Sequence, residues 1–213
     1  MKLILLYWII LPTLLFANPF SLTKKDLQTI RQSYDNQKTV TRYKRFNQFL
    51  KKAKSFEEIK KLTRTNSYIN RILPGHDKVV QQQTDHWSTP KEFLIQGKGD
   101  CEDYAITKYF TLKHLGVNKK KLYMAIVQVK GSRTKHMVLL YFDTPKSIPL
   151  ILDNLSWRTI GLDKRKDLSV DVIFNEIDAH LMKNNKMAKK VRINWGKFDK
   201  WSDVRNRIYS KKE

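Results

Sequence analysis

Apolar positions change their rhythm once along this chain. In the first third they recur three or four residues apart, the spacing of one buried helical stripe. A first amphipathic segment opens at Asp26-Leu27-Gln28-Thr29-Ile30, and Tyr43, Phe46, Phe49 and Leu50 mark a second. Ser55-Phe56-Glu57-Glu58 reads as a capping box, serine at the N-cap and glutamate three residues on, starting a third helix through Ile59, Leu62 and Tyr68. Residues 72–99 lose the period. Pro74-Gly75 marks a turn there, and a loop over 85–90 ends where Lys91-Glu92-Phe93-Leu94 start a short helix. A longer helix then runs from Cys101 through Ala105, Ile106, Tyr109, Phe110, Leu112 and Leu115 to Gly116.

After Gly116 the blocks have strand length. Leu122–Val129 is one strand, Lys130–Arg133 a turn, and His136–Phe142 a second strand, apolar on both faces and therefore central. A turn at 143–146 leads to a third strand, Pro149–Asp153. The result is a β-meander behind a helix. Leu168–Met182, with Val172, Ile173, Ile177 and Leu181, fits a helix or a strand running into one. Trp195, Phe198, Trp201, Val204 and Ile208 predict a C-terminal helix with aromatic anchors. The class is α+β. Residues 18–213 form one expected domain, helical over 18–71 and with the core over 72–213.

Composition narrows the partners. The 213 residues, 41% hydrophobic and 11% aromatic, suit a globular fold. The net charge of +22 implies attraction to something anionic: nucleic acid, a membrane surface or an acidic protein. At the N-terminus Lys2, the apolar run Leu3–Phe16 and Ala17-Asn18-Pro19 describe a secretory signal peptide over residues 1–17. The run is short for a span, which needs about 20 residues. Export argues against nucleic acid and leaves a membrane surface or an acidic protein. It also gives the single cysteine weight, because exported chains use cysteine mainly in disulfide pairs.

That cysteine stands in Gly97-Lys98-Gly99-Asp100-Cys101-Glu102-Asp103-Tyr104. It is either a small buried hydrophobe or a nucleophile at a helix start, where unpaired amides and the helix dipole favour thiolate. A nucleophile needs a base and a group to orient it. Of the five histidines, His114 is on the same helix, about 20 Å away at 1.5 Å per residue. His76 and His86 are in loops and His180 is late, whereas His136 opens the central strand. With the strands antiparallel about the turn near Pro145, the start of one lies beside the end of the next. His136 and Asp153 become cross-strand neighbours. Cys101, His136 and Asp153 are then nucleophile, acid/base and orienter. Asp100, Glu102 and Asp103 oppose a thiolate. They also offer oxygen ligands to a hard cation such as Ca²⁺.

The Trp87-Ser88-Thr89-Pro90-Lys91-Glu92, Gly97–Tyr109, His136-Met137-Val138-Leu139 and Leu152-Asp153-Asn154 segments together resemble the bacterial transglutaminase-like cysteine peptidases, the LapG-type proteases. The resemblance runs from about residue 55 to the Trp201 region. It implies a papain/transglutaminase-like α+β fold, a Cys101-His136-Asp153 triad, and calcium-dependent activity with Asp100, Glu102 and Asp103 as ligands. It implies a periplasmic endopeptidase that cuts the N-terminal region of a large surface adhesin, releasing cells from a biofilm. An inner-membrane cyclic di-GMP receptor restrains such enzymes. Two other functions fit the residues, a transglutaminase-type acyltransferase and a non-catalytic basic binding protein.

Overall fold

The computed structural model describes residues 18–75 and 86–210, so the expected signal peptide and His76 lie outside the described residues. Three helices come first, α1 (Lys24–Gln32), α2 (Asn36–Ala53) and α3 (Glu58–Ile69). Thr23 and Asp26 cap α1 reciprocally, each bonding the other's backbone N–H. The predicted stripe on α2 holds, with Tyr43, Phe46 and Leu50 buried and Phe49 packed at its edge.

The capping box expected at Ser55 does not form. Ser55 Oγ donates to Lys52 O, and Phe56 N–H to Ala53 O, so this serine closes α2. Glu57 is the N-cap of α3 and makes no side-chain capping bond. With α2 ending two residues earlier, the chain spends Ser55 on the old helix before it can start the new one.

The stretch 72–99 is more ordered than its sequence suggests. A two-residue strand β1 (Leu73–Pro74) pairs in parallel with β2 (Lys98–Gly99), and Gly75 N–H donates to Gly99 O. Between the described parts lies α4 (Pro90–Gln96), with Pro90 at its first turn and a reciprocal Thr89/Glu92 cap. Gly97 ends α4 in the left-handed region, φ 72°. Arg42 from α2 donates to Leu94 O and Ile95 O at 2.8 and 3.1 Å, closing the same helix end.

Helix α5 (Cys101–His114) is the centre of the molecule. Ten consecutive residues, Asp103–Leu112, are buried, the mark of a helix enclosed on all sides. It packs on α3, α4 and the sheet. Gly116 turns the chain out with φ 86°.

The sheet has seven strands, in the order β6-β5-β4-β3-β7-β8-β9, all antiparallel. β3 (Leu122–Val129), β4 (Lys135–Tyr141) and β5 (Leu150–Leu152) are the expected meander. β4 is interior to the sheet. Met137, Leu139 and Tyr141 face the helices, while Val138 and Leu140 join Tyr123, Val127 and Ile151 in a second apolar cluster. β6 (Ile160–Gly161) extends one edge.

Residues 168–182 hold no helix. They form β7 (Leu168–Phe174) and most of β8 (Ala179–Lys183), and β9 (Lys186–Val191) completes the sheet. Asn175 accounts for the break: its Oδ1 accepts the N–H groups of Ile177 and Asp178, folding a turn between Val172-Ile173 and the later apolar pair. The last helix, α6 (Lys200–Tyr209), buries Trp201, Val204 and Ile208. Phe198 lies before it and is exposed, and Trp195 packs against the core from the preceding loop.

Candidate active site

Cys101 is the first residue of α5, directly after the N-cap Asp100. Its thiol donates to Glu102 Oε2 at 3.0 Å, and Met137 N–H on β4 donates to the sulfur. Burial is the main cause that pushes the thiol far above its usual range, followed by the Glu102 charge and hydrogen bond, with Asp100 adding to them. The Met137 N–H works in the opposite direction. The acids thus act on the thiol as the sequence implies, and the helix terminus does not outweigh them.

His136, the second residue of β4, is 9% exposed, and its Nε2 lies 2.8 Å from Asp153 Oδ1. The register pairs Leu139 with Leu152, so Asp153 stands diagonally from His136 on one face of the sheet rather than directly opposite. Asp153 is fully buried. Burial opposes its charge, but the His136 ring, Leu155 N–H and Arg165 hold its carboxyl down to about 2.

Cys101 and His136 line one cleft of about 270 Å³, between Trp87 on one side and Lys135 and Lys200 on others, with Glu102 at its wall. Among the described histidines, His136 is the one that lines it. His86 lies 3.7 Å from Glu92, His114 meets Phe20 edge to edge, and His180 lies 3.4 Å from Asp178.

Trp87 is held in place from several directions. It packs edge-on to Trp195 at 5.7 Å, and Arg207 from α6 bonds its carbonyl oxygen and the Glu92 carboxylate. The next residue, Ser88, donates its N–H to Asp103 Oδ1 at 2.7 Å. Asp103 is thus turned inward, tying the loop before α4 to the nucleophile-bearing turn. Among the described residues no three His, Cys, Asp or Glu side chains converge as a metal site.

Gly99 lets Asp103 adopt this place. A Cβ there would stand 2.4 Å from Asp103 Oδ2 and 2.7 Å from Phe93 Cδ2. Gly99→Ala is expected to cost about 1–3 kcal/mol of stability through overpacking, read as a lower urea midpoint. An unchanged midpoint would mean that Asp103 and Phe93 yield without cost.

Three supports of Asp153 carry no signal in the sequence. Arg165 Nη1 binds Asp153 Oδ2 at 2.7 Å while its other nitrogens grip Asp167 at 2.7 and 2.9 Å. Asn70, capping α3, donates to Asp153 O and Ser156 O, and Asn66 donates to Ser156 O. One arginine among 42 lysines and arginines, and two asparagines on a helix, are invisible until the fold closes over them.

A buried nucleophile-type cysteine and a histidine–aspartate pair on neighbouring strands define a papain- or transglutaminase-like cysteine hydrolase site. The family model for bacterial transglutaminase-like cysteine proteinases matches residues 30–166, and the chain belongs to that family. Its fold is therefore transglutaminase-like, and its class a cysteine protease. Two solved structures of Legionella pneumophila LapG agree. The calcium-bound form is 29% identical, covers 88% of this chain and 99% of its own, and superposes with a TM-score of 0.69. The EGTA-treated form is 30% identical over 88% of this chain and 98% of its own, with a TM-score of 0.71. A comparison with curated protein sequences finds no match.

Proposed function

We propose that the chain is a periplasmic, calcium-dependent cysteine endopeptidase that cleaves the N-terminal region of a large cell-surface adhesin and so controls attachment in a biofilm. The observation that carries this reading is that Cys101 and His136 open into one cleft with Asp153 bonded behind the histidine.

With Nε2 engaged by Asp153, the other ring nitrogen of His136 is the one that serves the thiol. It takes the proton from Cys101 Sγ as the sulfur attacks the scissile carbonyl carbon. The imidazolium then gives that proton to the leaving amine, and a thioester remains. Water attacks the thioester with His136 again as base, releasing the new carboxylate and restoring the thiol. The Cys101 backbone N–H and a donor near Trp87 stabilise the oxyanion.

The donor chemistry of Asp100, Glu102 and Asp103 fits calcium, a hard cation that takes carboxylate oxygens. The two acids that push the thiol up are two of the three proposed ligands. When bound, the cation supplies positive charge that offsets their effect on the thiol. The calcium-bound LapG relative supports extending the requirement to this chain.

The partner expected to restrain the enzyme is an inner-membrane cyclic di-GMP receptor. A cavity of about 530 Å³ supports an acidic partner. Lys38, Arg42, Arg45 and Arg71 line it together with Tyr68 and Leu73, and no carboxylate lies among its lining residues. An anionic membrane surface is the other candidate for this charge.

The test incubates the protein with the N-terminal region of a large adhesin. A shortened adhesin is expected with calcium, none with EGTA, and restored cleavage when calcium is returned. Cys101→Ala is expected to be inactive. New isopeptide bonds in place of shortened products would identify an acyltransferase. Absence of either product in calcium would overturn the reading.

A further inference from the structure

Lys108 lies two turns along α5 from Cys101 and is 0% exposed. Among the described residues its Nζ has no hydrogen-bond partner, and it sits 5.8 Å from the Tyr104 ring centroid. A buried ammonium in that condition is costly and is retained only against a compensating charge. The compensating charge here is Asp153, the carboxylate that holds His136.

We propose that Lys108 is a positioning residue of the site: its ammonium and the His136 imidazolium compete for the single Asp153 carboxylate, so that charging either disfavours charging the other. This rests on His136 being the base. The groups that set the balance come from each neighbouring element. α5 itself brings Tyr104, Thr107 and Thr111, and α3 brings the neutral Thr65, Asn66 and Asn70. The sheet brings His136 and Asp153, and Arg165 closes the far side of the carboxylate. Arg165 stays charged throughout, so its share is constant.

Burial depresses the Lys108 ammonium, against the pull of Asp153, to about 7. Lys108 therefore changes charge in the range where His136 must take and return a proton. With Lys108 neutral, Asp153 is free to support the imidazolium that forms when the thiol loses its proton. With Lys108 charged, that support is divided and His136 is a weaker base.

The test needs no substrate and so stands apart from the cleavage assay. In the Cys101→Ala chain, which removes the thiol from the titration, the His136 ring is followed by NMR against pH and assigned by its loss in His136→Ala. Adding Lys108→Met, similar in length but uncharged, is expected to raise the His136 midpoint by about half a pH unit or more. A midpoint unchanged within about 0.2 pH unit would reduce Lys108 to a packing role and overturn the proposal. Should Lys108→Met not fold, the Cys101→Ala chain alone decides. A broadened, two-step His136 titration is expected of a coupled pair, and a simple one-proton curve overturns it. Failure to cleave adhesin would overturn the proposed function and leave this titration untouched.

Discussion

Asp153→Asn is expected to lower adhesin cleavage by roughly 10³–10⁴-fold while the chain still folds. The amide keeps the shape of the carboxylate but loses its charge. It can no longer hold His136 in one tautomer through Nε2 while also answering Arg165 Nη1 at 2.7 Å. A stability change accompanies the kinetic one, and its sign follows from the depressed carboxyl. Folded Asp153 sits at about 2, against about 3.9 in an unfolded chain. Its contribution, about 2–3 kcal/mol, is fully present above the unfolded value and is lost as pH falls from about 4 towards 2. Urea denaturation at pH 7 and pH 3 should therefore show wild type and Asp153→Asn far apart at the first and converging at the second. Equal cleavage by the two proteins would remove Asp153 from the catalytic machinery.

Lys108→Met is expected to do the reverse and stabilise the fold. An unfolded lysine holds its proton to about 10.4, whereas the buried one gives it up near 7. The group's folded value is lowered, so folding is penalised most at and below pH 7. The penalty fades as pH rises to about 10.4 and is absent above it. Methionine removes it, a gain of a few kcal/mol at pH 6 at about 1.4 kcal/mol per pH unit separating the two values. Chemical denaturation at pH 6 and pH 10 reads this directly: a large gain at the first, a small one at the second. A variant less stable than wild type at pH 6 would show that the ammonium is better compensated than its unbonded Nζ indicates.

What the chain discloses in one dimension depends on whether a residue's task is set by its neighbours in sequence. The α2 stripe of Tyr43, Phe46 and Leu50, the two-faced β4 and the meander around it follow from periodicity, because burial by tertiary contact repeats with the element. The His136–Asp153 contact follows from strand direction alone, though the register makes it diagonal. Ser55 misled because a serine can close one helix as readily as open the next. Residues 168–182 misled because Val172, Ile173, Ile177 and Leu181 keep helical spacing across a turn that Asn175 folds. Arg165, Asn70 and Lys108 were beyond reach. Their work is done on a residue tens of positions away, and their types are common in a chain this basic.

The sheet order also bears on how the protein can be handled. Cys101, His136 and Asp153 come from one uninterrupted run through α5, β4 and β5, while β8 and β9 lie three and four strands away from β4, about 19 Å at the outer strand. The hairpin between them turns on Asn184 and Asn185, both exposed and both at positive φ, a geometry asparagine and glycine tolerate. A fluorophore or affinity tag inserted at this tip would enter a peripheral hairpin, and the same labelled protein could be used for docking, titration and turnover measurements.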